Sequence, residues 1–232
     1  MTALIGFLAK PIGYLLFYIY NIVNNYGIAI IIVTAVVKIL LYPLYVKQMK
    51  STASSSEIQK KVNILKSKYG NDKALFNQKV SELYKEEGFS PAGGCLPAII
   101  QMFIVFALFA LLRDPMSFVN DDKILFAVHE SFLWIPNLSQ PDKWILPILA
   151  GAATYISFSI SQQTMTANPD MGGMMKMMKY FFPLMIVLMG RSFPAGLAIY
   201  WFFGQFLQIF FNLHINKIKK NMTANKKRGG KK

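Results

Sequence analysis

One cysteine, Cys95, and two histidines, His129 and His214, are all that this chain of 232 residues offers in the way of thiol or imidazole groups. A single thiol excludes an intrachain disulfide and a cysteine-based zinc site. The two imidazoles are too few and too far apart in sequence to suggest a metal centre. Acid is scarce as well: 11 Asp+Glu face 25 Lys+Arg, a net charge of +14, so an acidic neighbour is expected. The marks of catalysis are missing too. There is no HExxH, P-loop or GxSxG, and no serine has a histidine and an acid in a recognisable frame. Nor is there an inverted repeat of the kind that secondary transporters often carry. The composition calls for no cofactor and no metal.

What is abundant is apolar surface: 54% hydrophobic residues, 14% aromatic and a mean hydropathy of +0.37. These values place the chain among membrane proteins rather than soluble domains. A helical crossing needs about 20 apolar residues, and five segments come near that length: 27–46, 94–113, 144–164, 176–190 and 195–215. The fourth is the weakest, because Pro183 interrupts it and Lys176 and Lys179 must reach back to the interface. Residues 1–26 are apolar but broken by Lys10, Pro11 and Gly13, and carry Tyr14, Phe17, Tyr18 and Tyr20. A signal peptide is one reading; a helix lying on the membrane surface suits the aromatic face better.

Charge orients these spans. Nine lysines lie in 47–93 and eight Lys+Arg in 216–232, whereas five acids crowd into 114–143. Positive segments stay in the cytoplasm, so the expectation is an N-terminus outside and a C-terminus inside, with 114–143 extracytoplasmic and 165–175 a cytoplasmic loop. Within 47–93, Ile58, Val62, Leu65 and Tyr69 share one helical face, and Gly70 followed by Asp72 marks a stop and a restart. That predicts a cytoplasmic helical hairpin: a linker, or an arm that touches lipid heads, a partner or an incoming chain. The tail, with Lys217, Lys219, Lys220, Lys226, Lys227, Arg228, Lys231 and Lys232, is expected to be disordered and to meet anionic lipid or ribosomal RNA.

Polar residues inside the spans carry the functional signal. Lys38 near a span centre costs roughly 2.5–3.5 kcal/mol on insertion scales and is usually kept for function. Thr34, Tyr42 and Tyr45 share its face, and partial snorkelling toward the interface is the plainer explanation. Further stripes are Thr154, Ser157 and Ser161 on the third span and Trp201, Gln205, Gln208 and Asn212 on the fifth, with Gln101 added by the second. Serines and threonines in such places commonly serve helix packing. Four stripes together suggest a water-accessible groove whose only formal charge is positive.

Three ordered stretches, GGCLPAIIQMFIVFALF (93–109), FLWIPNLSQPDKWILPIL (132–149) and FPAGLAIYWFFGQF (193–206), resemble the YidC-type membrane protein insertases. The resemblance covers essentially the whole chain. It implies an all-α integral membrane protein in the cell membrane: five transmembrane helices around a hydrophilic groove open to the cytoplasm, with a cytoplasmic hairpin and an N-terminal interfacial helix. It further implies nascent membrane proteins as clients, received from a ribosome and inserted alone or with the Sec translocon; the unit is expected to be a monomer. The family's groove residue is an arginine in the first span, and VVKILLYPL (36–44) places Lys38 there; lysine keeps the charge and loses the planar fork. Trp201 matches an aromatic groove position, and Ser157 falls near a position where relatives often carry glutamine. The large extracytoplasmic domain and N-terminal lipoprotein cysteine of some relatives have no counterpart here, which implies the short form. A small-anion transporter or channel is the other reading of a lysine in a polar groove.

Overall fold

The protein is described by a computed structural model over residues 2–88, 96–119, 121–162 and 172–229, and among these the only regular elements are helices. In chain order the α-helices are α1 (Thr2–Val23), α2 (Tyr26–Tyr69), α3 (Lys73–Glu86), α4 (Leu96–Arg113), α5 (Asp122–Ala127), α6 (Ile145–Gln162), α7 (Gly172–Gly190) and α8 (Ala195–Gly229), with a 3-10 turn at Pro115–Ser117 between α4 and α5. Gly6–Val23, Tyr26–Val46 and Ala195–Ile218 are long and apolar enough to cross a membrane, and shorter apolar helices run over Ile100–Arg113, Ile145–Ser161 and Lys179–Gly190.

Three features add to or depart from the sequence expectations. The first concerns α1, expected as an interfacial helix. It packs on α2 and α4 through buried Ala9, Ile12, Leu16 and Ile19. Gly13 permits the approach, because a Cβ there would lie 2.9 Å from Val119 and 3.0 Å from Leu111. The second is α2, which passes without a break from the first apolar segment into the polar one, so the boundary at 46/47 is a change of surroundings rather than of secondary structure. Pro43 is its sole proline and no glycine follows until Gly70. The second half of α2 forms a hairpin with α3, burying Ile58 and Val62, and Asp72 caps α3 by accepting from the N–H groups of Ala74 and Leu75, both at 3.0 Å. The third is the tail: residues expected to be disordered continue α8 to Gly229. Lysine, arginine and alanine sustain a helix, and cations near its C-terminus complement its dipole.

The 114–143 segment ties the helix ends together, and its acids do this work as caps. Glu130 accepts from the Tyr26 N–H at 2.8 Å, at the start of α2, and from the Tyr20 hydroxyl near the end of α1. Asp142 caps α6, accepting from the N–H groups of Trp144, Ile145 and Leu146. The free N–H groups of Ala195 and Gly196 at the start of α8 donate to the carbonyls of Gln140 at 2.9 Å and Leu138 at 3.0 Å. Helix starts carry unpaired donors and partial positive charge, so carboxylates and carbonyls there satisfy both needs. The main core lies among α1, α2, α4, the start of α8 and this segment; α6 packs on α8 and α7. Gly151 lets α6 close on α7, since a Cβ there would sit 2.4 Å from Val187.

Candidate functional site: a lysine-centred polar network

On α8, Tyr200, Gly204, Gln208 and Asn212 follow one another at four-residue intervals and therefore lie along one ridge of the helix. Lys38 of α2 lies against this ridge. Gly204 leaves room for its stem, because a Cβ there would approach the Lys38 Cε at 3.4 Å. Thr34, one turn earlier on α2, is fully buried and donates its hydroxyl to the Ile30 carbonyl at 2.6 Å, so it makes no demand on the network.

Lys38 is 4% exposed, and its ammonium donates to two side-chain carbonyls, Gln101 Oε1 on α4 at 3.2 Å and Gln208 Oε1 on α8 at 3.4 Å. The Tyr45 ring lies 5.6 Å from it, within cation–π range. Among the described residues no carboxylate pairs with it. The amides pass the connection outward. Gln101 Nε2 donates to the Tyr200 hydroxyl at 2.8 Å, and Gln208 Nε2 donates to Asn212 Oδ1 at 3.1 Å. Asn212 in turn donates to the Ser157 carbonyl at 3.2 Å and its hydroxyl at 3.4 Å, bringing in α6. Asn216 extends the same seam by donating to the Ile160 carbonyl at 3.3 Å. One chain of hydrogen bonds thus joins α2, α4, α6 and α8 around a buried positive charge.

Trp201 points to the α6 side of α8, where its indole N–H donates to the Thr154 hydroxyl at 3.1 Å and its ring lies 6.3 Å from that of Phe182 on α7. Thr154 donates to the Ala150 carbonyl at 2.6 Å. Ser161 is half-buried and has an interaction partner, and Gln205 is half-buried on α8. Lys38, Gln101, Gln208 and Ser157 are therefore brought into one network, while Thr34, Thr154 and Trp201 flank it. Lys38, Thr34, Thr154 and Ser157 are all buried here, and the crevice lined by Leu41, Leu44, Tyr45 and Ile100 is too narrow for water. Lys217 is exposed on α8. The side chains of Lys219, Lys220, Lys226, Lys227 and Arg228, and residues Lys231 and Lys232, lie outside what is described.

Sequence reasoning missed Tyr200 and Asn216 and named Asn212 only as part of a stripe. The signal was available in the four-residue spacing from Tyr200 to Asn216, masked because apolar residues surround it. It also missed the pairing of Ser139 with His129, whose Oγ and Nδ1 lie 2.9 Å apart beside Arg113 in a cavity of about 500 Å³ at the other end of α4. Ser139 also donates to Asn137 Oδ1 at 2.7 Å. Among the described residues no acid reaches the ring of His129, so the pair lacks the third member of a nucleophile-activating triad. No cluster of His, Cys, Asp and Glu suited to a metal is found among the described residues.

Residues 18–224 match the model of the family described as 60Kd inner membrane protein. The membrane protein insertase YidC of Fusobacterium nucleatum is 38% identical over 202 residues, covering 87% of this chain and 91% of that one. The membrane protein insertase YidC of Oceanobacillus iheyensis is 39% identical over 216 residues, with 89% and 81% covered. That of Helicobacter pylori is 36% identical over 97% of this chain, which spans only 40% of the longer relative. Among solved structures, an active YidC insertase with its first transmembrane domain resolved superposes with a TM-score of 0.62 at 25% identity, over 87% of this chain and 44% of that one.

Proposed function

The chain belongs to the 60Kd inner membrane protein family, and from that premise we propose that it is a membrane protein insertase of the YidC type, in which the Lys38 network receives the incoming segment. The observation that carries this reading is the buried ammonium itself. A charge without a counterion is costly inside a membrane protein, and here its partners are amide carbonyls at 3.2 and 3.4 Å, bonds long enough to exchange for a client carboxylate. Lys38 is covered at rest, so reception requires α8 and α4 to part from α2 along this seam. Water entering between the freed amides turns the seam into a hydrophilic groove open to the cytoplasm and shortens the hydrocarbon to be crossed.

In this mechanism a weakly hydrophobic nascent segment brings an acidic or polar N-terminal stretch toward Lys38. Its apolar part then slides along α6 and α8 into lipid, driven by its own burial. No bond is made or broken and no nucleotide is used. The proposed topology has five spans, with the N-terminus outside, and the α2–α3 hairpin, the link between α6 and α7 and the basic end of α8 in the cytoplasm, where ribosome and anionic lipid meet lysines. The chain acts as a monomer, alone or beside the Sec translocon.

The test places a photocrosslinker at Ser157 or Trp201 and presents ribosomes stalled on a short single-span client. Crosslinks from both positions to the client are expected. Crosslinks only to lipid or to this protein's own hairpin would reduce the network to helix packing. Solute-dependent anion flux in liposomes would instead favour a transporter.

A further inference from the structure

Apolar side chains that face outward along the spans need no explanation in a membrane protein, but the connection 114–143 has water as an alternative. In it Leu133 is 76% exposed and Phe126 73%, and Trp134 is also exposed. Leu133 and Trp134 form the tip of a tight turn closed by reciprocal hydrogen bonds, Phe132 N–H to Ile135 carbonyl at 2.8 Å and Ile135 N–H to Phe132 carbonyl at 2.9 Å. Such tips are normally Gly, Asn or Asp, above all where φ is positive. Leu133 has φ +53, a conformation that a leucine adopts only against steric cost.

The exposure is not looseness, since the base of the turn is fixed. Ile135 is 4% exposed, and the Phe132 ring lies so close to α2 that a Cβ at Gly27 would be 2.3 Å from it. The tip is aimed as well. The Trp134 indole N–H donates to Asp142 Oδ2 at 2.9 Å, and Asp142 Oδ1 accepts from the Trp144 backbone N–H at 3.0 Å, so one carboxylate holds both tryptophans beside the start of α6. Beyond Trp144, exposed Ile145 and Ile148 continue the apolar surface onto the outward face of that helix. The Arg191 guanidinium lies 4.1 Å over the Trp144 ring.

A rigid turn presenting leucine and tryptophan, continuous with a span's apolar face and bordered by a stacked arginine, has the chemistry of the membrane–water interface: apolar bodies for the acyl boundary, an indole N–H and a cation for the head groups. We propose that the Leu133–Trp134 turn, with Trp144 and Arg191, is an interfacial anchor that seats this connection in the adjoining leaflet, Arg191 facing lipid phosphate. The anchor would hold the starts of α2, α6 and α8 at a constant depth while the opposite ends of those helices part.

The chain has 3 tryptophans, which makes the test direct. The full-length double variant Trp144→Phe/Trp201→Phe leaves Trp134 as sole emitter, and Trp134→Phe/Trp144→Phe leaves Trp201 as the deep reference. Each is reconstituted in vesicles of phosphatidylcholine and phosphatidylglycerol containing lipids brominated near the head group or near the chain end. The expected result is blue-shifted Trp134 emission, quenched more by the shallow bromines than by the deep ones. Adding Leu133→Asp is expected to abolish most of that quenching, whereas Leu133→Gly, which the backbone conformation favours, retains the Trp134 position with weaker quenching. Water-like emission quenched by aqueous iodide would overturn the proposal. So would blue-shifted emission insensitive to both quenchers, which would mean that protein covers the turn. Neither result bears on client crosslinking at Ser157, so this inference and the insertase reading can fail separately.

Discussion

Replacing Lys38 by methionine separates what the lysine does for the fold from what it does for clients. Methionine keeps the unbranched stem that passes Gly204 and deletes the charge. The fold loses two long hydrogen bonds from a charged donor, at 3.2 and 3.4 Å, and one ring contact at 5.6 Å. At the weak end of their ranges these contribute about 1.5 kcal/mol each and about 1 kcal/mol, roughly 4 kcal/mol in all. Against this stands the desolvation of the ammonium, which is itself several kcal/mol after relaxation. The two nearly cancel, so Lys38→Met should change unfolding stability by less than about 2 kcal/mol, in either direction. Client capture has no such cancellation. A carboxylate about 4 Å from the ammonium at an effective dielectric of 20 gains about 4 kcal/mol. If even half of that survives hydration, insertion of a client with an acidic N-terminal tail falls by more than about tenfold. The assay is insertion into proteoliposomes, scored by protease protection, alongside thermal unfolding of the same preparations in detergent. Lys38→Arg should retain insertion, because the charge remains, while Lys38→Met should lose it and stay folded. Wild-type insertion by the methionine variant would refute the electrostatic role. Loss of stability by more than about 4 kcal/mol with insertion lost in parallel would make Lys38 a structural residue.

Other expectations follow from the connection between the helices. Leu133→Gly relieves the cost of positive φ, about 1–2 kcal/mol, and returns part of it as unfolded-chain entropy; a net gain of about 0.5–1 kcal/mol is expected in detergent unfolding, and a clear loss would mean that the leucine side chain supports the turn. Burial pushes the Asp142 carboxyl up, but the donors on it, first the Trp134 indole and then the backbone N–H groups of Trp144, Leu146 and Ile145, outweigh that and hold it below its ordinary 3.8. Its contribution is complete above that value and is lost as pH falls through the lower folded value, so the thermal unfolding midpoint of Asp142→Asn should fall less steeply than that of the wild type as pH drops below about 4. Gly27→Ala drives a methyl into the Phe132 ring and should cost about 1–3 kcal/mol by the same unfolding measurement, with partial rescue by Phe132→Leu if that contact is the cause.

Much of the architecture is legible in one dimension because the membrane reduces it to one. Apolar length, the placement of lysines and the scarcity of acid are properties of segments, and lipid reads them segment by segment. The hairpin is legible for a similar reason, as Ile58 and Val62 recur on one helical face and Asp72 is a local capping signal. The tail shows where composition misleads: its charge argues for disorder, yet nothing in it breaks a helix that α8 has already nucleated.

Lys38 could be singled out by its cost alone, but not what it would meet. Its partners, Gln101 and Gln208, are 63 and 170 residues away in the chain, and no local pattern says that an α4 amide and an α8 amide close over an α2 lysine. Burial of Lys38, Ser157 and Asn212 likewise depends on how near the helices come. That distance is set by Gly204 beside Lys38, Gly13 beside α4 and Gly151 beside α7, where a missing side chain matters only once the opposite surface is known. The acids of the 114–143 segment make the same point. Counted along the chain they only mark an acidic segment set between basic ones, whereas in space Glu130 and Asp142 cap helices far from or next to them in sequence. Periodicity and charge act through averages over a segment and survive without coordinates. Hydrogen bonds and close approaches depend on individual atoms within a few ångströms, and those positions exist only after the helices have packed.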